Sequence, residues 1–121
     1  MVKIKAAVCH KFGAPLQIET INLREPLTGE VEVTLGAVAV CHSDISFAAG
    51  DWGGELPAVY GHEAAGFVSK TGNAVKGFEI GDRVVVTLIK SCGNCNNCLE
   101  GNPTICEANN LAILPILSAK N

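Results

Sequence analysis

Gly61-His62-Glu63-Ala64-Ala65-Gly66-Phe67-Val68-Ser69-Lys70-Thr71-Gly72-Asn73-Ala74-Val75 places a histidine and a carboxylate directly ahead of a strand-like run punctuated by glycines. The same pattern recurs outward from it. Val2, Ile4, Ala6 and Val8 alternate with lysines and small residues, and Leu16 and Ile18 alternate before Pro26. Val31, Val33 and Leu35 alternate with Glu32 and Thr34, the period of two that marks a half-buried strand. Val84 to Leu88 is a continuous, largely β-branched run, which suits a buried strand. Thirteen glycines divide these segments, so short strands with tight turns are expected. One short helix is predicted from Ser43 to Gly50, with Ser43 or Asp44 near its N-cap and Gly50 past its end. Several short strands with sparse helix predict a mainly β, barrel-like domain.

Composition narrows the class. A chain of 121 residues is long enough for one core but not for two. It is 48% hydrophobic and 17% charged, which fits a folded soluble protein and argues against disorder. A net charge of −3 gives no electrostatic reason to expect nucleic acid or an anionic membrane as partner. Six cysteines could belong to a secreted disulfide scaffold, but Met1-Val-Lys-Ile-Lys-Ala-Ala-Val8 has no apolar core or cleavage pattern for export. Leu111 to Leu117 is apolar but interrupted by Pro115 and too short to span a bilayer. Metal-bound thiolates in a reducing cytoplasm are the expected use of these cysteines. No internal repeat or low-complexity linker is present.

Four of the cysteines, Cys92, Cys95, Cys98 and Cys106, lie within fifteen residues. Gly93, Asn96, Asn97, Gly101 and Pro103 supply the turns of a short ligand loop. Thiolates at such spacing suit tetrahedral zinc, with Zn–S bonds of about 2.3 Å. Four cysteines leave no position for water or substrate, so the expected role is structural. Ferredoxin clusters also use Cys-x₂-Cys-x₂-Cys, but their fourth cysteine follows after three residues and precedes proline. Here seven residues intervene and Glu107 follows.

Cys41-His42-Ser43-Asp44 and Gly61-His62-Glu63 form a second constellation. Cys41 ends one strand-like run and His62 precedes another, so a thiolate and an imidazole could make part of a zinc site. The third ligand is either missing or a carboxylate, Glu63 or Asp44. Those carboxylates could equally stand behind the histidine, accepting its other N–H. The plainer alternatives are that Cys41 fills a core, and that His42, Ser43 and Asp44 merely cap a helix. Cys9 reads as a buried small hydrophobe, His10 as solvent-facing, and Trp52 as packing or lining a cleft near the helix end.

Gly61-His62-Glu63-x₂-Gly66-x₅-Gly72-x₂-Val75 resembles, at every fixed position, the signature of zinc-containing medium-chain alcohol dehydrogenases. The Cys41-His42-Ser43-Asp44 segment, Gly81-Asp82-Arg83-Val84 and the four-cysteine lobe follow the family's order and spacing. The resemblance covers roughly residues 1–110, and the wording Cys98-Leu-Glu-Gly-Asn-Pro103 is most similar to the aryl- and benzyl-alcohol branch. It implies a GroES-like, partly open β-barrel over residues 1–110 with a zinc-binding lobe at 91–107. It also implies that Cys41 and His62 ligate a catalytic zinc and that Glu63 stands behind it as an occasional ligand. Asp44 would orient His62, Ser43 would bind the substrate oxygen and pass its proton on, and His42 would contact the pyrophosphate of NAD or NADP. Family members oxidise alcohols to aldehydes and are usually dimers or tetramers.

This chain departs from the family at Ser46, where many members place a histidine that ends the proton relay. The family's third zinc-ligand cysteine is absent, and no Gly-x-Gly occurs, so no dinucleotide fingerprint is present. Residues 111–121 read as an atypical apolar tail and suggest truncation. Two functions follow from these features. One is the catalytic domain of a zinc-dependent alcohol dehydrogenase acting on a primary or aromatic alcohol. The other is a non-catalytic zinc-binding fragment unable to hold the nicotinamide cofactor, in which case the 121-residue chain by itself is expected to be inactive.

Overall fold

The computed structural model describes residues 1–89 and 91–108, and the apolar tail lies outside them. The alternating segments near the N-terminus become an antiparallel pair, β1 (Val2–Val8) and β2 (Gln17–Leu23), with Ile4 opposite Ile21 and Val8 opposite Gln17. A second, three-stranded antiparallel sheet has the order β3 (Val31–Ala39), β4 (Glu63–Thr71), β5 (Arg83–Val86). The two sheets are separate ladders, and an isolated bridge pairs Cys9, just past β1, with Ala58 in the connection between β3 and β4. The result is mainly β and only partly closed. Its core is small: Val8, Cys9, Ile21, Ala64, Val68 and Cys106 are the buried apolar residues among those described. Cys9 is buried, as its setting predicts, and its thiol donates to the Lys11 carbonyl at 3.5 Å.

Central strand β4 explains the glycines of the motif. Register across β3–β4 pairs Leu35 with Gly66 and Ala37 with Ala65, leaving Gly36 as an extra residue in a bulge. A Cβ on Gly66 would lie 2.1 Å from the Thr34 carbonyl oxygen, and one on Gly72 would lie 1.8 Å from that of Leu27. Gly61 adopts φ +134°, a region closed to most side chains. Two motif glycines therefore serve close backbone approach, and one serves a backbone conformation.

The run from Val84 to Leu88 is not a buried strand. β5 stops at Val86 and, among the described residues, pairs only with β4, so it is an edge, and Val85 is 77% exposed. Val85 stands opposite Ala65, on the face that also carries the half-exposed Phe67. No described element covers that face, so the alternation of the pleat, and not the hydrophobicity of the run, sets exposure here.

The helix α1 (His42–Ala49) starts one residue earlier than predicted, and its N-cap is Cys41. Asp44, three residues on, accepts the Cys41 backbone N–H at 3.0 Å through Oδ2, which fulfils the carboxylate half of a capping box. Gly50 ends the helix at φ +92° and donates to the Ser46 and Phe47 carbonyls. The lobe contributes a short helix α2 (Asn96–Leu99) and a 3₁₀ turn (Pro103–Ile105).

The β2–β3 connection is held by a forked ion pair. Arg24 donates to the two Glu30 oxygens at 2.6 and 2.8 Å, and the Leu27 N–H donates to the same carboxylate at 2.9 Å. The Arg24 guanidinium, followed by the Leu27 N–H, lowers the Glu30 pKa from 4.5 to about 2. A depressed carboxylate pKa contributes stability above the unfolded value and loses it as pH falls through the folded one. The pair is exposed, so the effect is small. Urea midpoints of the wild type and Glu30→Gln are expected to differ at neutral pH and to converge as pH falls from 4.5 toward 2. A difference that persists unchanged at the acid end of that window would refute the assignment.

Candidate metal centres

The lobe gathers its four sulfurs within 4.8 Å of one another. Local hydrogen bonds arrange this. The backbone N–H groups of Asn94 and Cys95 donate to Cys92 Sγ at 3.4 and 3.3 Å, and Cys92 N–H donates to Cys106 Sγ at 3.3 Å. The Asn97 amide straps the two halves of the lobe together by donating to the Ile105 carbonyl at 2.9 Å and to Glu107 Oε1 at 3.3 Å. The sequence offered Asn97 only as a turn former, and its role as a strap depends on contacts eight and ten residues away.

The sulfurs do not ionise alike. Backbone N–H groups, that of Cys98 first and that of Glu107 next, bring Cys95 down to about 6. The Gly93 N–H lowers Cys98, but partial desolvation and the neighbouring sulfurs outweigh it and raise Cys98 to about 11. Four thiolates so close together repel one another, and a divalent cation at their centre removes that penalty. The Cys95–Cys106 Sγ separation is 3.9 Å, while a tetrahedron with Zn–S bonds of about 2.3 Å has edges of about 3.8 Å. The donor set and its spacing fit zinc.

Cys41, His62 and Glu63 form the second group, again with ligand atoms within 4.8 Å of one another. Cys41 is placed by the end of β3 and the start of α1, while His62 and Glu63 are placed by the start of β4. The pairing of Ala39 with Glu63 brings these two chain segments together. His62 Nδ1 lies 3.2 Å from Asp44 Oδ1, and both side chains are largely buried. The other imidazole nitrogen, Nε2, faces Ser43 Oγ at 3.4 Å and Glu63 Oε1 at 3.8 Å. An Nδ1–H donated to Asp44 fixes the tautomer and leaves the Nε2 lone pair available for a metal. Asp44 is thus shared, since one oxygen caps α1 at Cys41 and the other orients His62. The sequence reading offered the two contacts as alternatives, a helix cap or a partner of the histidine, and one carboxylate makes both. His42 is exposed at the first turn of α1.

An aromatic cluster starts one turn further along α1. Phe47 lies four residues after Ser43, on the same helical face. Its ring centroid is 4.6 Å from that of Trp52, edge to face, and 5.7 Å from that of Tyr60, stacked. Trp52 remains 61% exposed.

Five strands in two unclosed sheets among the described residues, with a thiol-rich lobe and a cysteine–histidine–carboxylate cluster, define the class as a GroES-like β domain. Residues 28–116 match the alcohol dehydrogenase GroES-like domain family. The alcohol dehydrogenase of Moraxella sp. (strain TAE123) is 42% identical over 108 residues, covering 87% of this chain and 32% of its own. The alcohol dehydrogenase of Geobacillus stearothermophilus is 40% identical over 107 residues, or 86% of this chain and 32% of its own. Benzyl alcohol dehydrogenase from Acinetobacter calcoaceticus superposes with a TM-score of 0.78 at 34% identity, over 88% of this chain and 29% of that one. The chain belongs to the alcohol dehydrogenase GroES-like domain family. It spans about a third of the length of the curated relatives named here. Among the described residues, no helix is long and apolar enough to cross a membrane.

Proposed function

We propose that this chain is the substrate-side domain of a zinc-dependent alcohol dehydrogenase, oxidising a primary or aromatic alcohol to an aldehyde with NAD or NADP as acceptor. The observation that carries the reading is the His62 arrangement, with Nδ1 committed to Asp44 and Nε2 turned toward Ser43 and Glu63, in one group with Cys41. Cys41, His62 and Glu63 would hold a catalytic zinc, and Cys92, Cys95, Cys98 and Cys106 a structural one. At the first site zinc supplies Lewis acidity that lowers the pKa of an alcohol hydroxyl. Ser43 Oγ accepts a hydrogen bond from that hydroxyl and carries its proton outward. Asp44 holds the imidazole in the ligating tautomer. Exposed His42 offers an imidazole N–H for the pyrophosphate of the cofactor, and the Phe47–Trp52–Tyr60 cluster offers an apolar wall for an aromatic substrate. Small alcohols and aldehydes are the expected partners, within a homodimer or tetramer in the cytoplasm.

Cobalt substitution provides the test. Two cobalt ions per chain are expected, with visible bands of tetrahedral thiolate coordination. Benzyl alcohol should perturb only the bands that Cys41→Ala removes. Bands that survive Cys41→Ala and still respond to the alcohol would sink the proposal. The absence of any Gly-x-Gly favours a second reading, in which residues 1–121 bind zinc but hold no nicotinamide cofactor themselves. That reading predicts no NAD reduction by the chain as it stands, measured at the absorbance of the reduced nicotinamide.

A further inference from the structure

The lobe has almost no apolar core. Among described residues 91–108 only Cys106 is buried, while Leu99 and Ile105 are 71% and 62% exposed. Its fold therefore depends on a cross-link between its two halves. One half carries Cys92, Cys95 and Cys98, and the other carries Cys106. Zinc is one such cross-link on the reading above. The geometry offers a second, because Cys95 Sγ and Cys106 Sγ are 3.9 Å apart and within reach of a bond of about 2.05 Å after a small side-chain movement.

We propose that Cys95 and Cys106 form a disulfide under hydrogen peroxide, an alternative staple that expels the metal. The proposal rests on the lobe binding zinc. The Cys95 thiolate attacks one peroxide oxygen, the O–O bond breaks, and a sulfenic acid and hydroxide result. The Cys106 thiolate then attacks the sulfenic sulfur, the S–S bond forms, and a second hydroxide leaves. Two thiolates have lost two electrons, peroxide has gained them, and two protons from solvent convert the hydroxides to water. Cys95 meets peroxide first because Cys106 is buried. Both Cys92 Sγ and Cys95 Sγ accept backbone N–H groups, but it is Cys95 Sγ that stands 3.9 Å from Cys106 Sγ. The bridge encloses α2 and the 3₁₀ turn, so the lobe stays closed. It leaves only Cys92 and Cys98 as thiols, too few for tight zinc binding.

Peroxide treatment of the zinc-loaded chain, followed by unreduced peptide mapping and zinc release into a chromogenic chelator, tests this. A single Cys95–Cys106 cross-linked peptide is expected, with about one zinc released per disulfide and recovery on adding dithiothreitol and zinc. Cys95→Ser should abolish that peptide. If the variant does not fold, the zinc-loaded wild type mapped at stepwise peroxide should show the Cys95–Cys106 peptide before any other pairing. Zinc retained at full oxidation, a Cys92–Cys98 or Cys92–Cys95 pairing, or sulfinic acid without a disulfide would overturn the proposal. Zinc content measured before peroxide separates failure of this inference from failure of the zinc reading.

Discussion

Gly66→Ala and Gly72→Ala are each expected to destabilise the domain by about 3 kcal/mol, at the upper end of the range for forcing extra atoms into a packed site. The opposing atoms are backbone, so no side-chain rotation relieves the clash. A Cβ at Gly66 meets the Thr34 oxygen at 2.1 Å and its carbonyl carbon at 2.9 Å, in the strand that pairs on both sides. Relief would require opening the β3–β4 ladder beside the Gly36 bulge. At Gly72 the new atom meets the Leu27 oxygen at 1.8 Å, while the Gly72 N–H already holds the Glu30 carbonyl at 2.8 Å. The turn from Leu27 to Glu30 would have to leave the end of β4. The core that must absorb this loss is small, and folded domains have only about 5–15 kcal/mol in total. Urea denaturation followed by far-ultraviolet circular dichroism measures the loss. Gly36→Ala is the control, since its added Cβ meets only the Ala65 oxygen at an ordinary 3.6 Å, and it should change stability by no more than about 0.5 kcal/mol. If Gly36→Ala proves as damaging as Gly66→Ala, close backbone approach is not what the motif glycines serve.

Asp44→Asn is expected to weaken metal binding at the Cys41–His62–Glu63 group by about 10–100-fold, the usual effect of losing a residue that orients a ligating histidine. The reasoning depends on atoms, not on charge alone. The oxygen of the introduced amide can still accept the Cys41 N–H, a bond that Asp44 makes at 3.0 Å, so α1 keeps its cap. The amide nitrogen then turns toward His62 Nδ1 and donates to it. The imidazole must place its own proton on Nε2, the nitrogen that faces Ser43 and Glu63, and the lone pair is lost to the metal. Asp44→Ala removes both contacts and should also fray α1, because a lost N-terminal cap costs about 1 kcal/mol. Cobalt titration against a competing chelator gives the affinity, and amide hydrogen exchange in residues 41–49 gives the state of the helix. The asparagine variant should lose affinity with α1 intact, whereas the alanine variant should lose both. Wild-type affinity in Asp44→Asn would show that the carboxylate is a cap and nothing more.

Much of this protein was legible in its residues because the relevant chemistry is local. The alternation of Val2, Ile4, Ala6 and Val8, and that of Val31, Val33 and Leu35, gave strands where β1 and β3 lie. Gly50 after an eight-residue helix is a C-cap in fact as in expectation. The four lobe cysteines come together because few residues separate them. Cys41 and His62 became readable as a pair through a family signature. Spacing alone leaves them twenty-one positions apart on different elements.

The sequence by itself determined the mainly β class, the short helix, both sets of candidate metal ligands and the family, because period-two patterning, turn residues and clustered thiols act over short distances. Only the tertiary structure decided that the run from Val84 lies on an exposed edge, since exposure depends on whether a neighbour covers a face and no local pattern records that. It also decided why Gly66 and Gly72 are glycines, because the carbonyls that exclude a Cβ belong to residues 34 and 27, brought near by strand register. It likewise gave Asp44 its two roles, since a carboxylate that faces Cys41 along the chain meets His62 only when β3 and β4 pair.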